Sequence, residues 1–413
     1  MSKRIKELVP ELRFSGFSEP WEVKALGPYL KQHSKKVPSS TELDVFSSTR
    51  EGLKSQNEYF DGSKLANEGE YGVVPEGYFV YRHMSDDNTF KFNINKLGKN
   101  IAVSKEYPVF KTENLNPGFL LNVLNEGSAF KVFAASQKKG GTRTRLYFKT
   151  LGTFVLPLPS LEEQKKIADC LASIDELIML HTRKLYALKD HKKGLIQRLF
   201  LSEGEAVPKL RFPEFKEHGK WCKVTLSSLG TLVSGLTYSP ADVCEEGLLV
   251  LRSSNVQNGQ ISLEDNVYVR PDIKGANYSK PGDILICVRN GSKALIGKNA
   301  LIPEGLPKCT HGAFMTVFRS NRSKFIYQLF QTYAYERQVA ADLGATINSI
   351  NGNQLKKYEF YVPDSDKEQH AIADFLSSID DMILAQSVHV GQLKIHRQGL
   401  IQRLFPIMDE VNL

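Results

Sequence analysis

The sequence lacks the residue patterns from which most catalytic and redox sites are built. Its 413 residues hold five cysteines, Cys170, Cys222, Cys244, Cys287 and Cys309. They are odd in number and scattered, with no Cys-x-x-Cys pair, so neither a disulfide framework nor a zinc site is suggested. Such cysteine usage fits a reducing, cytoplasmic setting. The thirty glycines never fall as Gly-x-Gly, which argues against a glycine loop for a dinucleotide or a methyl donor. The stretch NPGF at Asn116 lacks the second proline of an amino-methyltransferase motif. GSKALIGKN, from Gly291, imitates a phosphate loop, but its glycines are one residue too far apart. Asn299 also stands where a Ser or Thr would hold magnesium. RPDIK and VPDSDKEQ carry the Pro-Asp pair of one nuclease class without a well-placed second acid and lysine. CTH at Cys309 has no further ligands nearby. No metal site and no catalytic residues are therefore expected in this chain. No apolar run approaches the roughly 18 residues of a membrane span. The opening MSKRIKELVPELRF has no apolar core of a secretion signal.

What the sequence does have is a repeat. GLIQRLF occurs at Gly194–Phe200 and again at Gly399–Phe405. EQKKIADCLASIDE from Glu163 is likewise answered by EQHAIADFLSSIDD from Glu368, 205 residues on, the same offset as the heptamer. A second match precedes each: VPELRFSGF at Val9 and VPKLRFPEF at Val207, followed by WEVKALG at Trp21 and WCKVTLS at Trp221. The chain reads as arm, globule, helix, then arm, globule, helix.

Each helical segment carries a sustained apolar stripe. The first runs Ile167, Leu171, Ile174, Ile178, Leu185, Leu188, Leu195, Leu199; the second runs Ile372, Leu376, Ile379, Ile383, Val390, Leu393, Leu400, Leu404. Steps alternating four and three make a coiled-coil seam. Polar gaps fall at matching places, His181 with Gln386 and Lys192 with Arg397. His181 and Gln386 are either solvated seam-edge residues or a pin that fixes the register. The second globule joins the end of one helix to the start of the other. A parallel pair would make it bridge about 57 Å at 1.5 Å per residue, so an antiparallel pair is expected.

The globules differ in sequence but share an order of features. Strands are expected at LDVFSSTREG and LLVLRSSNVQNG, at PEGYFVYRH (75–83) and KPGDILICVRNGS (280–292), and at YPVFKT and AFMTVFRS. Helices are expected near Gly118–Glu126 and Phe325–Asp342, each followed by a polar loop, QKKGGTRTRL or LGATINSING. The fold class is mixed, α+β, with curved sheets in two globules joined through an antiparallel coiled coil and a pseudo-twofold repeat. The expected divisions are an arm and first globule over 1–160, helices over 161–201 and 366–406, a second globule over 202–365 and a tail over 407–413. Lys plus Arg exceed Asp plus Glu by eight, 54 against 46, and most of that excess lies outside the helices. A basic surface suits a nucleic-acid partner.

Two EQ-x2-IA-x2-L-x-SID…GLIQ-x-LF helices, VP-x-LRF arms and Trp–Leu openings, each set beside a divergent globule, resemble the specificity subunit of type I restriction–modification systems. The resemblance implies that each globule is a target-recognition domain for one half of a split site in double-stranded DNA. It implies that the helices space the halves and dock two modification (methyltransferase) subunits. Restriction (motor-nuclease) subunits would complete the complex. S-adenosylmethionine, ATP and magnesium would belong to those partners, with no cofactor in this chain. A coiled-coil scaffold with no DNA role would bind DNA without sequence preference. A fused nuclease would cut DNA with magnesium alone. Loop position selects Arg50, Arg82, Arg143 and Arg145 in the first globule as DNA contacts, and Arg252, Asn255, Arg289, Asn290, Lys293 and Asn348 in the second. Arginine is favoured because its fork spans guanine O6 and N7.

Overall fold

The computed structural model describes residues 9–59, 69–138, 140–343 and 348–406. The tail 407–413, Lys139 of the first polar loop and residues 344–347 of the second lie outside the described residues. The chain divides into two compact units, Met1–Thr182 with Val388–Leu413, and Arg183–Ser387.

The first unit opens and closes with one antiparallel pair, Glu22–Ala25 against Val155–Leu158. Its central antiparallel sheet runs in the order Leu30–His33, Val109–Thr112, Phe79–Tyr81, Phe92–Ile94. Three of these strands supply aromatic rings, and Phe79 stacks on Phe110 with centroids 4.8 Å apart. A side sheet is formed by Ile101–Ser104, Glu70–Val74 and Lys36–Pro38. The helix Pro117–Glu126 starts where Asn116 accepts the Phe119 amide and proline fills the first turn.

The second unit repeats the plan with different residues. Cys222–Thr225 pairs with Glu359–Val362 to open and close it. Its central sheet runs Thr231–Ser234, Met315–Arg319, Ile284–Cys287, Asn299–Leu301, the strand order of the first unit. The side sheet is larger, with five strands and one parallel pair, Leu248–Leu251 beside Cys309–His311. The single helix expected over Phe325–Asp342 is two helices, Ser323–Leu329 and Tyr333–Asp342. Thr332 divides them: its hydroxyl donates to the Leu329 carbonyl at 2.7 Å and caps the Tyr335 amide.

Two helices of 39 residues each, Leu161–Leu199 and Asp366–Leu404, span the repeated segments. All the expected seam positions, including His181 and Gln386, are buried or half-buried. In the first unit, Ile167 and Leu171 share a core with Ile401 and Leu404. In the second, Leu195 and Leu199 share one with Ile372, Leu376 and Ile379. In each unit an early stretch of one helix meets a late stretch of the other, which is antiparallel packing. The His181 ring lies edge-on to His389, centroids 4.4 Å apart, one helical turn beyond Gln386.

The two basic gaps in the stripe are ion pairs. Lys192 Nζ meets both oxygens of Asp380 at 2.6 and 2.7 Å, and Arg397 Nη2 meets Asp175 Oδ2 at 3.0 Å. Asp175 and Asp380 are repeat equivalents, as are Lys192 and Arg397, so one pair is the image of the other. Each is also tied to its own globule: Arg397 donates to Asn122 Oδ1 at 3.2 Å, and Gln328 Nε2 donates to Asp380 at 2.8 Å. Burial pushes the Lys192 ammonium down from its ordinary value, and Asp380 opposes that shift.

The arms explain the remaining repeated residues. Arg13 binds Glu163 through Nε and Nη2, both at 2.8 Å. Arg211 binds Glu368 in the same way at 2.7 and 2.8 Å. The next residue, Gln164 or Gln369, donates to the carbonyl of Pro159 or Pro363. The second copy has one more residue between proline and glutamate than the first, yet the same carbonyl is met.

Candidate nucleic-acid interface

In the first unit, the short strand Met84–Ser85 pairs with Thr144–Arg145, and the Leu146 amide donates to His83 O. That pairing draws the two expected arginine groups onto neighbouring clefts. Arg50 and Arg82 line a cleft of about 430 Å³. Arg143 and Arg145 line another of about 490 Å³, and Asp86 borders both. Gly140 and Gly141 take positive φ, 67° and 82°, which turns the loop back toward Arg143 without β-carbon strain. Burial lowers the pKa of His83, and the charges of Arg145 and Arg82 push it the same way. The His83 ring stacks on exposed Tyr147, centroids 5.7 Å apart.

All four arginines are exposed, but they differ in their partners. Arg50 Nη2 donates to Asp87 Oδ1 at 2.6 Å, and Arg143 Nε donates to Asp86 Oδ1 at 2.8 Å. Arg82 and Arg145 make no ion pair among the described residues. Asp87 is held by its own turn as well: Ser85 Oγ donates to it at 2.8 Å and Thr89 Oγ1 at 2.6 Å. The Thr89 hydroxyl, then Arg50 and the Ser85 hydroxyl, hold the Asp87 carboxyl far below the usual carboxylate range. Asn88 sits at φ 64°, the left-handed position of this turn.

In the second unit, Arg289 lies just beyond the strand Ile284–Cys287, the counterpart of the strand that ends beside Arg82. Its guanidinium stands 5.7 Å from the ring of exposed Phe314. An isolated bridge joins Arg289 to Ser349. Asn348 Nδ2 donates to Gly291 O at 3.1 Å, and Asn290 Nδ2 donates to Ser253 Oγ at 3.0 Å. Arg252 donates to Asp265 Oδ2 at 2.8 Å. Three separated stretches, at 252–255, 289–292 and 348–350, are thereby brought together. Lys293 is exposed and lines a cleft of about 470 Å³ with Asn258, Lys298 and Tyr335.

Asn255, expected as a DNA contact, is not presented to solvent. It is fully buried, and its side chain is used by its own fold. Its Oδ1 accepts the Arg252 amide at 2.9 Å, and its Nδ2 donates to the carbonyls of Ser262 at 2.9 Å and Asp265 at 3.1 Å. A polar turn residue looks the same in sequence whether it faces a base or its own backbone. The aspartates Asp86, Asp87 and Asp265 were not selected from the sequence. The signal for the first two is an acidic pair two residues beyond Tyr81-Arg82-His83, and for Asp265 the acidic pair it makes with Glu264.

The described residues contain no group of three or more His, Cys, Asp or Glu side chains placed to hold a metal. Among them no helix is long and apolar enough to cross a membrane.

The family described as the type I restriction modification DNA specificity domain matches residues 91–190 and 218–387. The chain is 29% identical over 287 residues to the type I restriction enzyme MjaVIII specificity subunit of Methanocaldococcus jannaschii, covering 66% of each. It is 31% identical over 176 residues to the EcoKI specificity subunit of Escherichia coli, covering 40% of this chain and 36% of that one. The chain thus spans about two thirds of the first of these relatives and about a third of the second. The fold is that of a type I restriction–modification S subunit from M. genitalium, with TM-score 0.60 at 15% identity over 97% of this chain and all of that one.

Proposed function

The chain belongs to the type I restriction–modification DNA specificity family, and we propose that it is the sequence-reading subunit of such a system, each globule reading one half of a bipartite, asymmetric DNA site. The observation that carries this reading is the double gathering of loop arginines. Arg50, Arg82, Arg143 and Arg145 converge in one globule, and Arg252 and Arg289 stand on loops tied to one another through Ser253 and Asn290 in the other. Exposed guanidinium groups beside polar turns suit phosphate anchoring and base-edge reading. The globules share a strand order but not a sequence, so the half-sites they read are different.

The chain supplies address and no reaction of its own. Methyl transfer belongs to modification subunits that dock on the paired helices and bring S-adenosylmethionine. Cleavage belongs to a motor-nuclease subunit with ATP and magnesium. The setting is the cytoplasm, where the DNA and these partners are found together.

Long-read methylation profiling of cells that carry this chain with its modification subunits tests the reading. The expected result is methylation at one motif made of two short, unlike half-sites with an unread gap between them. Methylation without sequence preference, or at one contiguous motif, would reject it.

A further inference from the structure

The recognition arginines fall into two kinds. Arg50, Arg143 and Arg252 are each bonded to an aspartate at 2.6 to 2.8 Å. Arg82, Arg145 and Arg289 are exposed and make no ion pair among the described residues, Arg289 lying instead against the Phe314 ring. In two of the paired cases the aspartate is anchored independently of its arginine. Asp87 already accepts from Ser85 and Thr89 within its own turn. Asp265 is fixed through its main-chain carbonyl, which accepts from the buried Asn255, and Asn255 also holds the Arg252 amide. At Asp87 the carboxylate itself is held, so it sets where the Arg50 guanidinium goes; at Asp265 it is the main chain beside the carboxylate that is held.

We propose that Asp87, Asp86 and Asp265 are specificity-determining positioning residues, which commit Arg50, Arg143 and Arg252 to base edges and leave Arg82 and Arg145 to the phosphates. This rests on the DNA-reading function proposed above and deepens it. The physical grounds are three. A paired arginine adds no net charge, so it contributes little to counterion release and hence little to sequence-independent affinity. Its carboxylate repels a phosphate, with its full negative charge, more strongly than the partial charges on the acceptor edge of guanine. A guanidinium has five N–H donors, so one bond to aspartate leaves two parallel donors for guanine O6 and N7. The pairing also removes rotamers that a long, exposed side chain would otherwise have to give up on binding. The same device recurs in both units on unrelated sequence, Ser-Asp-Asp-Asn-Thr in one and Glu-Asp-Asn in the other.

The test uses the full chain in the complex it forms, on two duplexes of equal length, one carrying the selected target and one unrelated. D87N should leave binding to the unrelated duplex unchanged or tighter. Its preference for the target should fall roughly tenfold, the scale of one bidentate base contact. Selection from randomised duplexes should then lose one position of the half-site read by the first globule and none of the other. D265N should do the converse, which keeps the proposal testable if either variant folds poorly by thermal unfolding. R82A should weaken both duplexes alike and reduce the salt slope by about one. A D87N or D265N complex that keeps its full preference, or that weakens on both duplexes equally, would overturn the positioning role. If the unsubstituted complex itself selects no sequence, the DNA-reading function fails first, and that outcome is distinct from a selective complex indifferent to D87N.

Discussion

Arg211 meets Glu368 side-on, Nε to Oε1 at 2.7 Å and Nη2 to Oε2 at 2.8 Å, with less than a tenth of either side chain exposed. Trp221 Nε1 adds a third donor at 3.3 Å. The pair binds the arm that enters the second globule to the helix that leaves it. Replacing Arg211 by alanine leaves a buried carboxylate with one neutral donor. The expected cost is about 3–5 kcal/mol, the range for breaking a buried pair. Lysine should not restore it, since an ammonium cannot make the parallel pair of bonds. Urea unfolding checks this, and a loss under about 1 kcal/mol would rank the pair with surface bridges.

The seam pairs give a second prediction. D380K places two ammonium groups together at Lys192, whose ammonium is already pushed down by burial. Stability should fall, and adding K192D should restore much of it by exchanging the charges. A double-mutant cycle should give a coupling of about 1–3 kcal/mol, the upper part of the range for contacting residues. Additive losses would show that Lys192 and Asp380 do not hold the helices together.

A third concerns pH. His311 is wholly buried, with Nε2 3.0 Å from Val233 O and Nδ1 3.0 Å from Ser279 Oγ. Burial lowers its pKa below the ordinary 6.5, as it does for His83. The folded state therefore prefers both rings neutral. Well above pH 6.5 neither state takes up a proton and there is no penalty. As pH falls through 6.5 the unfolded chain protonates first, so stability should decline until the depressed folded values are passed. Tm measured from pH 7.5 to 5.5 should drop, and His311→Gln should flatten part of the drop. A Tm that rises over this window would contradict the assignment.

The long helices were legible because a coiled-coil seam is a local, periodic signal, and Ile167 to Leu393 were chosen on that alone. The use of Lys192 and Arg397 was not, because a basic residue in an apolar stripe reads as an interruption until its carboxylate across the seam is known. The arms were visible only as repeated letters. Arg13 and Glu163 lie 150 residues apart, and no local pattern joins them. The break at Thr332 escaped because neither glycine nor proline marks it. Among the candidate site residues, the exposure of Arg50, Arg82, Arg143, Arg145 and Arg289 is legible from their position on loops beside strands. The burial of Asn255 is not legible, because the carbonyls of Ser262 and Asp265 that its amide meets are set against it by the turn and not by any sequence pattern.

If each globule reads its own half-site independently, exchanging one globule should exchange one half-site. Residues 22–158, from the strand after Trp21 to the strand before the first long helix, are replaced by the matching stretch of a relative, and the methylated motif is profiled again. One half-site should change to the donor's, while the other half-site and the gap between them stay as they were. A change in both halves, or an altered gap with the same halves, would contradict that independence.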